Sequence, residues 1–216
     1  MKLQLFCISA LAASLYAQNV TVVDNDQVKV LKVTQDHHKK TRLHDHKINR
    51  VMIYMQPGKQ TIDYQDGKKV VLEWKAAEPK WSPASGMHIA EIVSDQKVTI
   101  VEVELKKPGV KTKTAWPALD PVKIDPKHYK VEFENDQVRV VRARIGPKET
   151  APMHEHGLNR VVVFVTEMDF RVTDASGKVD AVKHAAGDVV LSGPAKHQEE
   201  NLSGKPFEVL VVELKS

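Results

Sequence analysis

Six of the ten histidines fall into two copies of one pattern. His44, His46 and His88 return as His154, His156 and His197, displaced by 110, 110 and 109 residues. Neutral imidazole is the commonest protein ligand for metals. On an extended strand His-x-His puts both rings on one face, because alternate side chains share a face. A lone His from a neighbouring strand then completes a three-nitrogen site with positions open for water, dioxygen or substrate. The expectation is two divalent transition-metal sites (Fe, Mn, Zn or Ni), one of His154, His156 and His197 and one of His44, His46 and His88. The alternative is a repeated pattern in which the histidines only hydrogen-bond inside the fold.

The rest of the chain repeats in the same frame. Asn25-Asp26-Gln27-Val28 returns as Asn135-Asp136-Gln137-Val138, Asn49-Arg50-Val51 as Asn159-Arg160-Val161, and Val103-Glu104-Leu105-Lys106 as Val212-Glu213-Leu214-Lys215. A period this long in only two copies is a tandem domain pair and not a solenoid. The first domain is expected over residues 19–107 and the second over 122–216. A linker at 108–121 is punctuated by Pro108, Pro117 and Pro121.

The elements that must position the histidines read as strands. Val28 to Val33 and Val138 to Ala143 are mostly alternating, while Val161 to Val165 is a β-branched run suited to a buried strand. Asp66-Gly67 between two strand-like runs is a hairpin signal, matched by Ser176-Gly177. No stretch carries a convincing helical period. Many short strands separated by turn residues indicate an all-β sandwich or barrel in each half.

Residues 1–17 read as a secretory signal peptide: Lys2, an apolar run from Leu3 to Leu15, and the small Ala17. The run is short of the roughly 20 apolar residues a membrane span needs. A secreted or periplasmic location follows, with no membrane insertion after cleavage. Cys7, the only cysteine, lies in that segment, so the mature chain must be stabilised by packing alone. Its net charge is +3, from 31 basic and 28 acidic residues once Lys2 is removed. Lys39-Lys40 and Lys106-Lys107 lack interleaved aromatics, so they read as solvated surface and no nucleic acid is expected as partner. A small-molecule ligand is expected; a homo-oligomer is compatible with the composition.

The histidine segments resemble the cupin superfamily, specifically a tandem bicupin. The first motif of that family is carried by Gly146, Pro147, His154, His156 and Gly157, and the second by Gly187, Pro194, His197 and Asn201. The resemblance implies two double-stranded β-helix (jelly-roll) barrels with the histidines as metal ligands. The first half keeps its triad but loses much of this frame: Asp36 and His37 stand for Gly146 and Pro147, Glu78 for Gly187, and Ile92 for Asn201. The second site is therefore expected to be the better formed. His37 and His38 have no counterparts and read as exposed loop residues.

Metal-binding members of the family usually place a Glu where this chain has Arg50 and Arg160. A guanidinium about 6 Å from a divalent ion is repelled by roughly 5 kcal/mol at an effective dielectric of about 20. Either the arginine pairs with a carboxylate, for which Glu91 and Glu200 recur at matching positions, or it receives a substrate anion as a planar fork. Arg160 and Arg50 are thus candidate substrate-binding residues. Catalytic residues are not identified, Glu200 and Tyr54 being only candidates for a general base. The expected function is an exported metal-dependent bicupin, an oxygenase or isomerase acting on a small anionic organic molecule. The alternatives are a non-catalytic metal- or ligand-binding module and a purely structural bicupin.

Overall fold

The computed structural model describes residues 18–215. The expected signal peptide and Cys7 lie outside the described residues. Among those residues the first half forms β1 (Gln18–Asp24), β2 (Val28–Gln35), β3 (His44–His46), β4 (Arg50–Tyr54), β5 (Gly58–Tyr64), β6 (Lys69–Trp74), β7 (Glu78–Ser82), β8 (Ser85–Ile92) and β9 (Val98–Leu105). A short helix α1 (Pro121–Ile124) follows. The second half then forms β10 (Tyr129–Glu134), β11 (Val138–Ile145), β12 (Thr150–His156), β13 (Arg160–Phe164), β14 (Met168–Asp174), β15 (Val179–His184), β16 (Val189–Ser192), β17 (Ala195–Asn201) and β18 (Phe207–Leu214). No helix of the described residues is long and apolar enough to cross a membrane.

Each half is a two-sheet barrel of the same topology. The larger sheets run β1-β2-β9-β4-β7 and β10-β11-β18-β13-β16; the smaller run β3-β8-β5-β6 and β12-β17-β14-β15. All pairings between these strands are antiparallel. The two hairpins expected at Asp66-Gly67 and Ser176-Gly177 close β5 onto β6 and β14 onto β15, with Gly67 at φ 89° and Gly177 at φ 86°, where a side chain would be strained.

Strand parity decides which core each residue joins. On β18, Phe207, Val209 and Val211 line the interior of the second barrel, while Leu210, Val212 and Leu214 point the other way. Those outward residues meet Val28, Val30, Val51, Ile53, Val101, Val103 and Leu105 of the first half in one apolar layer. The large sheets of the two barrels therefore pack on each other, which is why β18 and β13 read as continuous apolar runs and not as alternating ones. A pseudo-two-fold relates the halves. Asn49 Nδ2 donates to Gln137 Oε1 (2.6 Å) and, reciprocally, Asn159 Nδ2 donates to Gln27 Oε1 (3.0 Å). The Asn25 and Asn135 side chains that open the repeated Asn-Asp-Gln-Val segments each cap two following backbone N–H groups.

One expectation needs correction, and one corner bears on the site. Residues 152–165 are not one strand: the chain breaks at 157–159, where it passes from the small sheet (β12) to the large one (β13). The residue standing opposite Gly187 is Ala77 and not Glu78, since Arg50 pairs Ser82 as Arg160 pairs Ser192 and the extra residue lies after Ser82. Ala77 keeps the left-handed turn of Gly187 at φ 54°.

Because the largest core cluster is shared, the two halves are expected to unfold together. Calorimetry should show one transition, and Leu210→Ala, in that layer, should lower stability by about 2–5 kcal/mol and shift the whole transition. A first barrel that still melts at the parental temperature would show that the halves are independent.

Candidate metal and ligand sites

Both triads assemble. In each, one donor nitrogen per histidine lies within 4.8 Å of the other two. A point about 3 Å from all three exists, and small movements would bring the nitrogens to the roughly 2.1 Å of a metal bond. The lone third histidine arrives as parity requires: His44 pairs with His88 across β3 and β8, and His154 with His197 across β12 and β17.

Hydrogen bonds behind the rings fix which nitrogen faces inward. The Nδ1 atoms of His44, His88 and His154 donate to the carbonyls of Arg42 (2.7 Å), Gly86 (2.8 Å) and Pro152 (2.8 Å). His156 Nδ1 donates to Glu213 Oε1 at 3.3 Å. An Nδ1 that donates leaves the Nε2 lone pair for a metal, the usual support of a metal-binding imidazole. Burial also favours the neutral form of four of these rings. It brings His154 down to about 4, lowers His88, and lowers His156 despite the Glu213 hydrogen bond. Burial and the adjacent Arg50 bring His46 to about 3. The donor set thus fits a divalent transition ion in the second barrel.

The arginines differ between the halves. Both are buried. Arg50 Nη1 lies 2.8 Å from both ring nitrogens of His46 and donates to Glu102 Oε2 at 2.9 Å, while Nη2 donates to Ser82 Oγ at 3.0 Å. A cation thus contends with any metal for His46. His46 also groups with Glu102 and Glu104, a third set of ligand-type atoms, which the Arg50–Glu102 pair crosses. Arg160 instead donates Nη1 to the Gly193 carbonyl, and His156 is bonded to Glu213 and not to the arginine. It lines a cavity of about 210 Å³ with His156, His197, Glu199 and Tyr129. Burial lowers its pKa, offset by the nearby charges of Glu199 and Glu213; among the described residues it has no direct ion pair.

The expected partners Glu91 and Glu200 do not reach the arginines. Glu200 pairs with Arg171 at 2.7 Å and Glu91 lies 3.9 Å from Lys40. Both stand three residues after a ligand histidine, an odd step that turns them away from the cavity. Tyr54, the other proposed base, belongs to the first barrel, stacked on Trp74 with its hydroxyl pushed up by burial. His37 and His38 are exposed, as expected.

Sequence reasoning missed Glu199. It stands two residues after His197 and so shares its face. Glu199 Oε1 lies 3.3 Å from His197 Nε2, and Oε2 accepts from Tyr129 Oη at 3.2 Å. Burial pushes its pKa up, but His197 outweighs this and holds it at about 2. Tyr129 Oη also lies 3.4 Å from His154 Nε2. The His-x-Glu spacing at 197–199 was the available signal; the first half has Ala90 there. Also missed was the support behind His156. Arg139 Nε donates to Glu213 Oε2 (2.5 Å), its two Nη atoms grip Asp120 at 2.8 Å each, and Trp116 lies 3.4 Å from its guanidinium carbon. Asn201, wholly buried, donates to the carbonyls of Ile145, Gly146 and Lys205 and ties β17 to the start of the first motif.

No protein-family model matches the sequence, and no curated protein matches it. Solved structures do. Bacillus subtilis oxalate decarboxylase, described with Mn(II) centres, superposes with a TM-score of 0.63 at 13% identity, over 92% of this chain and 72% of its own. AerE from Microcystis aeruginosa gives 0.60 at 8% identity, over 93% and 97%. A cupin 2 conserved barrel domain protein from Leptotrichia buccalis gives 0.55 at 10%, over 93% and 90%. At these identities the likeness is one of fold.

The lowered histidines make metal-free protein acid-sensitive. His154 titrates near 6.5 when unfolded and at about 4 when folded, so the unfolded chain binds more protons between those values and stability falls as pH drops through that window. The full effect is about 3 kcal/mol. Glu213, held low, adds a loss in the same direction below the ordinary carboxylate range. Urea unfolding of chelator-treated protein from about pH 7 to about pH 4.5 should show a falling midpoint, and His154→Gln should flatten it. A flat profile for the parent protein would contradict a buried, neutral His154.

Proposed function

Taking the two-barrel cupin fold as premise, we propose that the protein binds a divalent transition metal in its second barrel and acts there on a small anionic organic molecule. The class of reaction is oxygenase or isomerase chemistry. The observation that carries the proposal is the joint lining of one small cavity by His156 and His197 of the second triad and by Arg160, a buried cation with no carboxylate bonded to it among the described residues. The proposal extends to export of the chain after removal of residues 1–17.

His154, His156 and His197 would hold the ion, which when bound supplies Lewis acidity or a dioxygen site. Arg160 supplies a positive anchor for a carboxylate beside the triad, in a cavity with room for roughly ten heavy atoms. Glu199, kept ionised, repels a second anion on its flank and orients the Tyr129 hydroxyl. Glu199, as an ionised carboxylate beside His197, and Tyr129, as a hydroxyl beside His154, take the places foreseen for Glu200 and Tyr54. The likeness to oxalate decarboxylase, a bicupin with Mn(II) centres, supports a dicarboxylate of that size as the first compound to try.

The first triad is expected to bind metal more weakly, because Arg50 occupies the edge of His46. Purified tag-free protein, loaded with Mn(II) or Zn(II) and dialysed, should lose most of its metal in a His154→Ala, His156→Ala variant and less in the His44→Ala, His46→Ala counterpart. Equal losses would overturn the ranking. Titration of loaded protein with oxalate should give saturable heat that Arg160→Met abolishes without lowering metal content. Unchanged oxalate binding in that variant would remove the anchor.

A further inference from the structure

The cavity of the second barrel changes character along its length. Strand register sorts its large-sheet wall into layers. Arg160 pairs Ser192 on β16; two residues on, Val162 pairs Val190 on β16 and Val211 on β18; two further, Phe164 pairs Val209. Residues two apart share a face and stand roughly 7 Å apart along a strand. One part of the wall therefore carries the guanidinium, with His156, His197 and Glu199 in the same lining, and the next layer carries three valines. Val172 and Val182 of the small sheet line the same space.

The fold does not impose that valine layer. In the first barrel Met52 stands two residues after Arg50, as Val162 stands after Arg160, and it pairs Lys80 and Glu102. Charged side chains thus occupy the places of Val190 and Val211. In the second barrel Val162 and Val190 are only half-buried, so apolar surface is left uncovered beside the charged end. A ligand tail that covers such surface gains about fourfold in affinity for each methylene. A second carboxylate laid there would lose its hydration against valine side chains, with the Glu199 carboxylate in the same cavity repelling it. Room for roughly ten heavy atoms accommodates one carboxylate and a tail of about six carbons.

We propose that the ligand of the second barrel is a monocarboxylate with an apolar tail of about four to seven carbons, its head on Arg160 and its tail along the valine layer. The inference rests on the reading of this cavity as a small-anion site beside the second triad, and it narrows the class of anion. Oxalate reports the anchor alone, because it has no tail to cover the valines.

Calorimetric titration of Zn(II)-loaded full-length protein with oxalate, propionate, butyrate, hexanoate and adipate tests this. Affinity should rise about fourfold for each methylene from propionate to hexanoate. Adipate, which is hexanoate with a second carboxylate at its far end, should bind at least about a hundredfold more weakly than hexanoate. Val162→Thr combined with Val190→Thr keeps the size of the layer and adds two hydroxyls. It should cut hexanoate affinity about tenfold and leave oxalate unchanged. Arg160→Met should abolish binding of hexanoate and oxalate alike. The chain-length series in the parent protein decides the matter alone if the threonine variant folds poorly. Affinity that is flat from propionate to hexanoate, adipate equal to hexanoate, or hexanoate binding indifferent to the two threonines would each overturn the proposal, while oxalate binding that depends on Arg160 would leave the anchor standing. If neither oxalate nor hexanoate binds, both readings fall.

Discussion

The contact on which the molecule depends is the apolar layer between the two large sheets. Each barrel is lined on its inside, yet its large sheet is also apolar on the outside: Val101, Val103 and Leu105 on one half, Leu210, Val212 and Leu214 on the other. Left in water, either face would be an exposed patch larger than a soluble domain ordinarily carries. Burying each against the other meets that need without a disulfide or a helix layer. It also makes the large-sheet strands largely apolar on both sides, so much of the polar chemistry is displaced to the strand ends and to the small sheets, where all six triad histidines sit.

Within that shared architecture the halves have been filled differently. The second barrel buries Tyr129, Phe170 and Phe207 and keeps a small, largely apolar cavity with Arg160 and Glu199 in its wall; the first has Asn19, Gln60 and Val98 at those places and a larger cavity with several charged residues in its lining. Electrostatics diverge in parallel. Glu213, the pseudo-symmetric partner of Glu104, is buried against Arg139 and His156, whereas Glu104 faces Lys29 at 4.0 Å. A carboxylate behind His156 strengthens it as a ligand. A guanidinium against His46 does the reverse. The same triad spacing thus yields two centres of unlike character.

Much of this was legible in the sequence because a strand has a period of two. His-x-His on one face follows from counting parity, and the repeat offset carried the topology of one half over to the other. The same counting excludes Glu200 and would have found Glu199, had the residues after His197 been read by parity and not by their recurrence in the other half. Other features were not legible for physical reasons. The break at 157–159 is a sheet-to-sheet corner set by barrel closure, which local pattern does not encode. The Asp120–Arg139–Glu213 chain joins residues far apart in sequence. The larger cavity of the first barrel, about 1100 Å³, is a volume, and no single residue announces it.

The reciprocal Asn49–Gln137 and Asn159–Gln27 pairs are the signature of a symmetric dimer, but here both partners belong to one chain. Tethered through residues 106–128, the two sheets meet at an effective concentration that dilution cannot lower. Their pairing therefore persists at any protein level, as it would not for two separate barrels. The tether has a second effect. In a true dimer every substitution appears twice, so a barrel cannot be hollowed out without hollowing its twin. In the tandem each change appears once, and the interface can stay symmetric while the interiors part company.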